Sequence, residues 1–280
     1  MNIELAFKEA QTAFSSEQYD KVLDICSALI EYEPSGAEYY ALAGNAELSK
    51  NELTQAESYF KRAIEINPYV GVYYFNLANC YFGQKRLAEA LNNYSRAVDL
   101  GCNDTVTQKV YYIMGLINQS INNDYENALV NYKKSELIQG VNENQVDILL
   151  NKVQIYVELH RFSDAESCAL QLKLLLPNEF QSYQLLFQIY LEQKKIKEAK
   201  QILQEAESTL VLASEITTEI GFDKAMLLCF MAEQDAKNAE HHYKKALQQL
   251  ASLEDNTALS EKDRCEILLT SADIYMKLER

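Results

Sequence analysis

YYALAGNAELSKNELTQAESYFKRAIEINP, residues 39–68, decides the fold, because the chain repeats its pattern as YYFNLANCYFGQKRLAEALNNYSRAVDLGC, residues 73–102. Tyr40 meets Tyr74, Gly44 meets Ala78, Leu53 meets Leu87, Ala56 meets Ala90, Phe60 meets Tyr94 and Ala63 meets Ala97, each step being 34 residues. Pro34 and Pro68 stand the same 34 apart. Self-similarity at a fixed period of this size marks a stack of supersecondary units, none of which buries its apolar face alone.

The recurring residue types explain why. Small residues return where two helices must approach closely, and aromatics return where hollows between them need filling. With the small residue of the second helix as a marker, the series runs Val22, Ala56, Ala90, Ala128, Ala165, Ala199 and Ala239, at spacings of 34, 34, 38, 37, 34 and 40. The longer steps are expected to lie in loops. The first and seventh units are degenerate, the first having Val22 and Cys26 where Ala and an aromatic are usual. Ser35/Glu38, Thr54/Glu57, Thr105/Gln108 and Ser163/Glu166 have the spacing of capping boxes at helix starts. Pro34, Pro68 and Pro177 follow second helices, where a helix must stop. Residues 208–222 interrupt the rhythm, and 251–261 read as a polar loop before a last helix.

These residues resemble the tetratricopeptide repeat (TPR), whose pattern is an aromatic, Leu-Gly and Tyr on one helix, then Ala, Phe, Ala and Pro on the next. The match is strongest over residues 37–102. The resemblance implies an all-α fold, a right-handed superhelical solenoid of antiparallel helix pairs. One solenoid over 1–280 is expected, with repeats at 3–36, 37–70, 71–104, 105–142, 143–179, 180–213 and 214–253 and a capping helix at 260–280.

Composition agrees with helices and narrows the chemistry. Only 8 Gly and 3 Pro are present, too few for a protein built on tight turns. Trp is absent, and 19 Tyr and 10 Phe supply the large packing pieces. The net charge is −15, distributed as −7 over residues 1–70, zero over 71–140 and −8 over 141–280. That balance disfavours nucleic acid and anionic membranes. It would attract a basic partner segment, and it equally serves solubility.

Cys26, Cys80, Cys102, Cys168, Cys229 and Cys265 are never closer than 22 residues, so no CxxC pair exists. They read as reduced, mostly buried thiols. The N-terminus MNIELAFKEAQTAF shows no secretory signal, no run of 18 apolar residues spans a bilayer, and a cytoplasmic location is expected. The only histidines are His160, His241 and His242, and adjacent side chains point about 100° apart on a helix, a poor shared metal site. No P-loop, GxGxxG, GxSxG or HExxH motif occurs. The expectation is a non-enzyme with no cofactor and no metal.

In the family the first helices line a concave face. Registering each repeat on its first-helix Gly or Ala places Phe7, Phe14, Glu38, Asn45, Leu48, Phe75, Asn76, Asn79, Phe82, Lys109, Tyr112, Gln119, Gln154, Gln184 and Gln188 there. Asn45, Phe75, Asn76, Asn79, Phe82, Lys109 and Tyr112 are the candidate peptide-binding groove. Phe75, Phe82 and Tyr112 would be anchors, with Asn45, Asn76 and Asn79 reading a peptide backbone. Some family members grip acidic chaperone tails with two Lys, two Asn and one Arg. Asn45, Asn76 and Lys109 match, but Ala41 and Ile113 stand at the other two positions. A chaperone tail is therefore a poor ligand. The function expected is a scaffold or adaptor holding a peptide or helix of another protein. The alternatives are a peptide-sensing regulator and a self-associating structural subunit.

Overall fold

The computed structural model describes residues 2–210, 214–235, 237–254 and 261–278. All regular structure among them is helical, as the composition required. The helices are α1 (Ile3–Ser15), α2 (Tyr19–Tyr32), α3 (Ala37–Ser49), α4 (Leu53–Ile66), α5 (Gly71–Gly83), α6 (Leu87–Asp99), α7 (Asp104–Asn122) and α8 (Tyr125–Leu137). They continue as α9 (Gln145–Glu158), α10 (Phe162–Leu175), α11 (Phe180–Glu192), α12 (Ile196–Thr209), α13 (Ser214–Gln234), α14 (Ala239–Glu254) and α15 (Glu261–Leu278). The helices follow one another as antiparallel pairs, from α1–α2 to α13–α14 with α15 after them, and the fold is an all-α solenoid. The chain divides into two compact units, Met1–Gln145 and Val146–Arg280.

One backbone device turns the first helix into the second in six of the pairs, α1–α2 to α11–α12. Glu17, Asn51, Lys85, Asn123, His160 and Lys194 have φ between 49° and 63°, each five residues ahead of the small marker residue. In the second pair, the Asn51 N–H donates to the Leu48 carbonyl (3.0 Å) and the Glu52 N–H to the Glu47 carbonyl (2.9 Å). These paired bonds close a helix C-terminus in a Schellman motif. The Gln18, Arg86, Arg161 and Lys195 N–H groups make the same reach back, to Ala13, Tyr81, Tyr156 and Tyr190.

This turn overturns the capping boxes. The N-caps of α4 and α10 are Glu52 and Arg161, neither accepting a bond through its side chain, while Thr54 and Ser163 lie inside the first turn. The preceding left-handed residue already fixes the entry of the next helix, so no Ser or Thr cap is needed there. The N-cap of α3 is Gly36, and that of α7 is Asn103, which accepts from the Val106 N–H (2.9 Å). The prolines behave as expected, following the C-caps Glu33, Asn67 and Leu176.

The long steps also differ from expectation. The 38- and 40-residue steps lengthen first helices, α7 to 19 and α13 to 21 residues, against 13 in α5. Only the 37-residue step falls in a loop, between Leu137 and Gln145. Helix α14 extends to Glu254 and α15 begins at Glu261, so residues 251–254 and 261 are not loop, and the rest of that expected loop, 255–260, lies outside the described residues. So do residues 211–213 of the interruption.

Within a pair, the small first-helix residue admits the second-helix aromatic. A Cβ on Gly44 would lie 2.8 Å from the Phe60 ring, and one on Gly115 would lie 2.4 Å from Tyr132. Phe60, Tyr94 and Tyr132 are wholly buried, each contributing about 1.5–3 kcal/mol of transfer free energy. Val22 and Cys26 of the degenerate first unit pack with Ala10, Ala13, Ala43 and Ala46 in one cluster. In unit 2, Leu172, Tyr183, Leu186 and Phe187 belong to one large cluster and Tyr243, Ala246 and Leu250 to another.

The carboxylates assigned to capping boxes tie one repeat to the next instead. Glu57 accepts from Lys61 Nζ (2.6 Å), Gln84 Nε2 (3.0 Å) and Arg86 Nη1 (2.9 Å), and Arg86 lies 4.3 Å over the Tyr81 ring. Unit 2 repeats the device at the same spacing, with Glu166 accepting from Gln193 (3.2 Å) and Lys195 (2.8 Å). Lys195 lies 5.7 Å over Tyr190.

Candidate functional site

In unit 1 the first helices touch in succession, α1 to α3 and α3 to α5, and so form a face. Asn76 Nδ2 on α5 donates to Asn45 Oδ1 on α3 at 2.8 Å, bridging neighbouring repeats directly. Phe75, Leu48 and Tyr112 all pack half-buried against the cluster built on Phe60, Ala78 and Tyr94. The structure thus brings α3, α5 and α7 residues onto one core.

The candidates divide by what they touch. Phe75 leans on the Tyr94 ring (centroids 6.1 Å apart) and Tyr112 on Tyr132 (6.3 Å). Both rings are half-buried. Phe82 is 39% exposed and Val72 on the same helix 40%, so the apolar surface offered by α5 lies at its ends. Residues 72, 75, 79 and 82 recur at three- and four-residue steps on one helix face. Asn79 is half-buried, and its Oδ1 accepts from the hydroxyl of Tyr94 at 2.7 Å. Lys109 is exposed. Further out, Phe7 packs edge-on against Tyr39 (5.3 Å) and Phe14 against Tyr19 (5.7 Å), so these serve packing. Glu38, Gln154 and Gln188 are exposed, and Gln184 is half-buried.

Sequence reasoning missed the part played by the second-helix tyrosines. Tyr94 and Tyr132 hold amides of the first helices, Tyr132 donating to Gln119 Oε1 at 2.9 Å. Burial pushes both phenols well above their ordinary range, so they stay protonated donors. The signal was present in the alternation of Phe60 with Tyr94 and Tyr132, since a buried hydroxyl needs a partner.

Other chemistry-bearing groups lie apart from this face. Cys26, Cys80, Cys168 and Cys229 are buried, Cys102 is half-buried and Cys265 is exposed. Burial pushes the thiols of Cys26 and Cys229 up to about 11 and that of Cys80 to about 12. The His241 and His242 rings are 5.8 Å apart, and among the described residues no group of three His, Cys, Asp or Glu could hold a metal ion. No described helix is long and apolar enough to cross a membrane.

Comparison with known proteins agrees with this geometry. Two family models, each described as tetratricopeptide repeat, match residues 7–70 and 71–104, and no catalytic family is indicated. No curated protein sequence matches the chain. Among solved structures, the C-terminal part of a TPR repeat-containing protein from Cytophaga hutchinsonii superposes with a TM-score of 0.63 at 15% identity, covering 92% of this chain and 97% of that one. A tetratricopeptide repeat protein from Parabacteroides merdae gives 0.53 at 16% identity, covering 96% and 98%. YrrB, described as a TPR protein with an unusual peptide-binding site, gives 0.55 at 18% identity, covering 66% and 91%.

Proposed function

We propose, from the premise that this chain is a member of the tetratricopeptide-repeat family, that it is a protein-binding scaffold whose first-helix face in unit 1 holds a segment of another protein. The observation that carries the reading is that face itself. Phe82 and Val72 stay exposed beside Asn79 and the bridged Asn45–Asn76 pair. Exposed aromatics at low rotamer cost anchor interfaces, and amides fixed by internal bonds meet a ligand without further ordering. YrrB, similar in fold, is described as having a peptide-binding site, which supports the same use here.

In this reading the seven pairs act as one repeat array, and no reaction is catalysed. The acidic surface outside residues 71–140 draws basic regions of the partner rather than nucleic acid. A cytoplasmic setting, where the free thiols stay reduced, suits the cysteine pattern. The test is affinity capture from the source organism's lysate with mass spectrometry, wild type beside Phe82→Glu and Asn79→Ala. A partner held by wild type and lost by the variants supports the groove, and one held equally by all three refutes it.

A second reading is self-association through α15, where Leu268, Leu269, Tyr275 and Met276 are each more than half exposed. Light scattering decides it: mass rising with concentration, and falling back in Leu269→Glu, would favour this reading.

A further inference from the structure

The first-helix face of unit 1 carries almost no charge where it is most apolar. Residues 66–84 contain no Asp, Glu, Lys or Arg, and neither do residues 110–123. Helix α5 is therefore uncharged throughout, and α7 is uncharged beyond Lys109. Their partners α6 and α8 do carry charge, as Glu89, Arg96 and Asp99 on one and Glu126, Lys133 and Lys134 on the other. A surface helix ordinarily presents a charged or polar face to water. On α5 the exposed large residues are Val72 and Phe82 instead.

We propose that this neutral face selects an extended peptide segment that is itself uncharged over the length it covers. The proposal rests on the groove reading above and names the chemistry of its ligand. A charged ligand side chain buried against α5 would lose its water without gaining a counter-ion, a loss that such a face imposes on either sign. The charges of the neighbouring first helices, Glu38 and Glu47 on α3 and Asp104 and Lys109 on α7, flank α5 rather than lie on it.

The amides decide between extended and helical ligands. Asn45 Oδ1 is engaged by Asn76, and Asn79 Oδ1 by Tyr94. What Asn45 and Asn79 offer a ligand is therefore chiefly N–H donation. An extended main chain presents carbonyls along its length, whereas a helix consumes its own in the i to i−4 ladder.

Selection of random dodecapeptides by display on the immobilised full chain tests this, with Phe82→Glu and Phe82→Lys alongside. The wild type is expected to enrich peptides whose charged-residue frequency lies about threefold or more below the input, since each buried charge is penalised. Both variants should weaken synthetic copies of those peptides by about tenfold or more, whichever sign is introduced. Added salt should change wild-type affinity by less than about twofold. Proline substitutions at alternate ligand positions should be tolerated at most sites, while uniform loss would mark a helical ligand and overturn the extended form. Selected peptides as charged as the input, and lost by only one variant, would overturn the neutral selection while leaving the groove. Peptides held equally by all three proteins, or no enrichment above bare support, would overturn both. If either variant loses wild-type helicity by circular dichroism, Val72→Glu and Val72→Lys take its place.

Discussion

Replacing Arg86 by Met should loosen the junction between the second and third repeats. Its partner Glu57 is only 9% exposed, while the Arg86 side chain is 38% exposed. A hydrogen bond to a charged group contributes about 1.5–3 kcal/mol, and the half-exposed guanidinium argues for the lower half of that range. Its stacking on Tyr81 at 4.3 Å adds about 0.5–1 kcal/mol, most of which a Met side chain cannot replace. The pair with Glu89 is exposed and adds little. Since Lys61 and Gln84 still hold Glu57, the expected loss is about 2–3 kcal/mol. The assay is urea denaturation followed by circular dichroism for wild type, Arg86→Met, Glu57→Gln and the double variant. The cycle should return a coupling of about 1–2 kcal/mol. Burial pushes the Glu57 carboxyl up, but the bonds from Lys61, Gln84 and Arg86 together outweigh it and hold the group below its ordinary 4.5. Its folded value being lowered, its contribution is full above pH 4.5 and is lost as pH falls through the folded value. The coupling measured at pH 7 should therefore vanish in strong acid. A coupling near zero at pH 7, or one that survives in acid, would refute the reasoning.

Further outcomes follow from single residues. Lys85→Gly and Lys194→Gly, at φ of 61° and 59°, should each raise stability by about 0.5–1 kcal/mol in thermal melts, because Gly relieves the left-handed strain at a smaller entropic cost. Asp223→Asn should stabilise unit 2 most above pH 7: burial and the neighbouring Glu219 charge, against a bond from Gln184, push the Asp223 carboxyl from 3.8 to about 7. With the folded value raised, wild-type stability increases as pH falls from about 7 towards 3.8, and a pH series of melts of both proteins checks it. A thiol reagent should label Cys265 first and Cys26, Cys80 and Cys229 only on unfolding, since the last three are buried with raised thiol values; peptide mapping reads the order.

The fold was legible because it is written in contacts of one kind. Gly44 facing Phe60 and Gly115 facing Tyr132 are steric requirements, and a steric requirement at a fixed period survives substitution elsewhere. The capping boxes misled for the opposite reason. A Ser/Thr and Glu spacing also occurs wherever a carboxylate is needed one turn into a helix, and Glu57 and Glu166 are there to hold Arg86 and Lys195 of the next repeat. Nothing local to α4 announces a partner 29 residues away. The candidate site was half legible: register placed Phe75, Asn79 and Phe82 on one face, but not which side would be spent inward. Phe75 and Asn79 divide their contacts between core and face, through the Tyr94 ring and hydroxyl, and only the packed structure distinguishes them from Phe82.

The central claim is that a partner lies on the first-helix face of unit 1, and photo-crosslinking tests it most directly. A benzophenone amino acid is placed at Phe82 on α5 or at Val130 on the second helix α8, positions 39% and 48% exposed, and each protein is irradiated in the source organism's lysate. The account predicts a partner adduct from position 82 and none from position 130; an adduct from position 130 alone would contradict it.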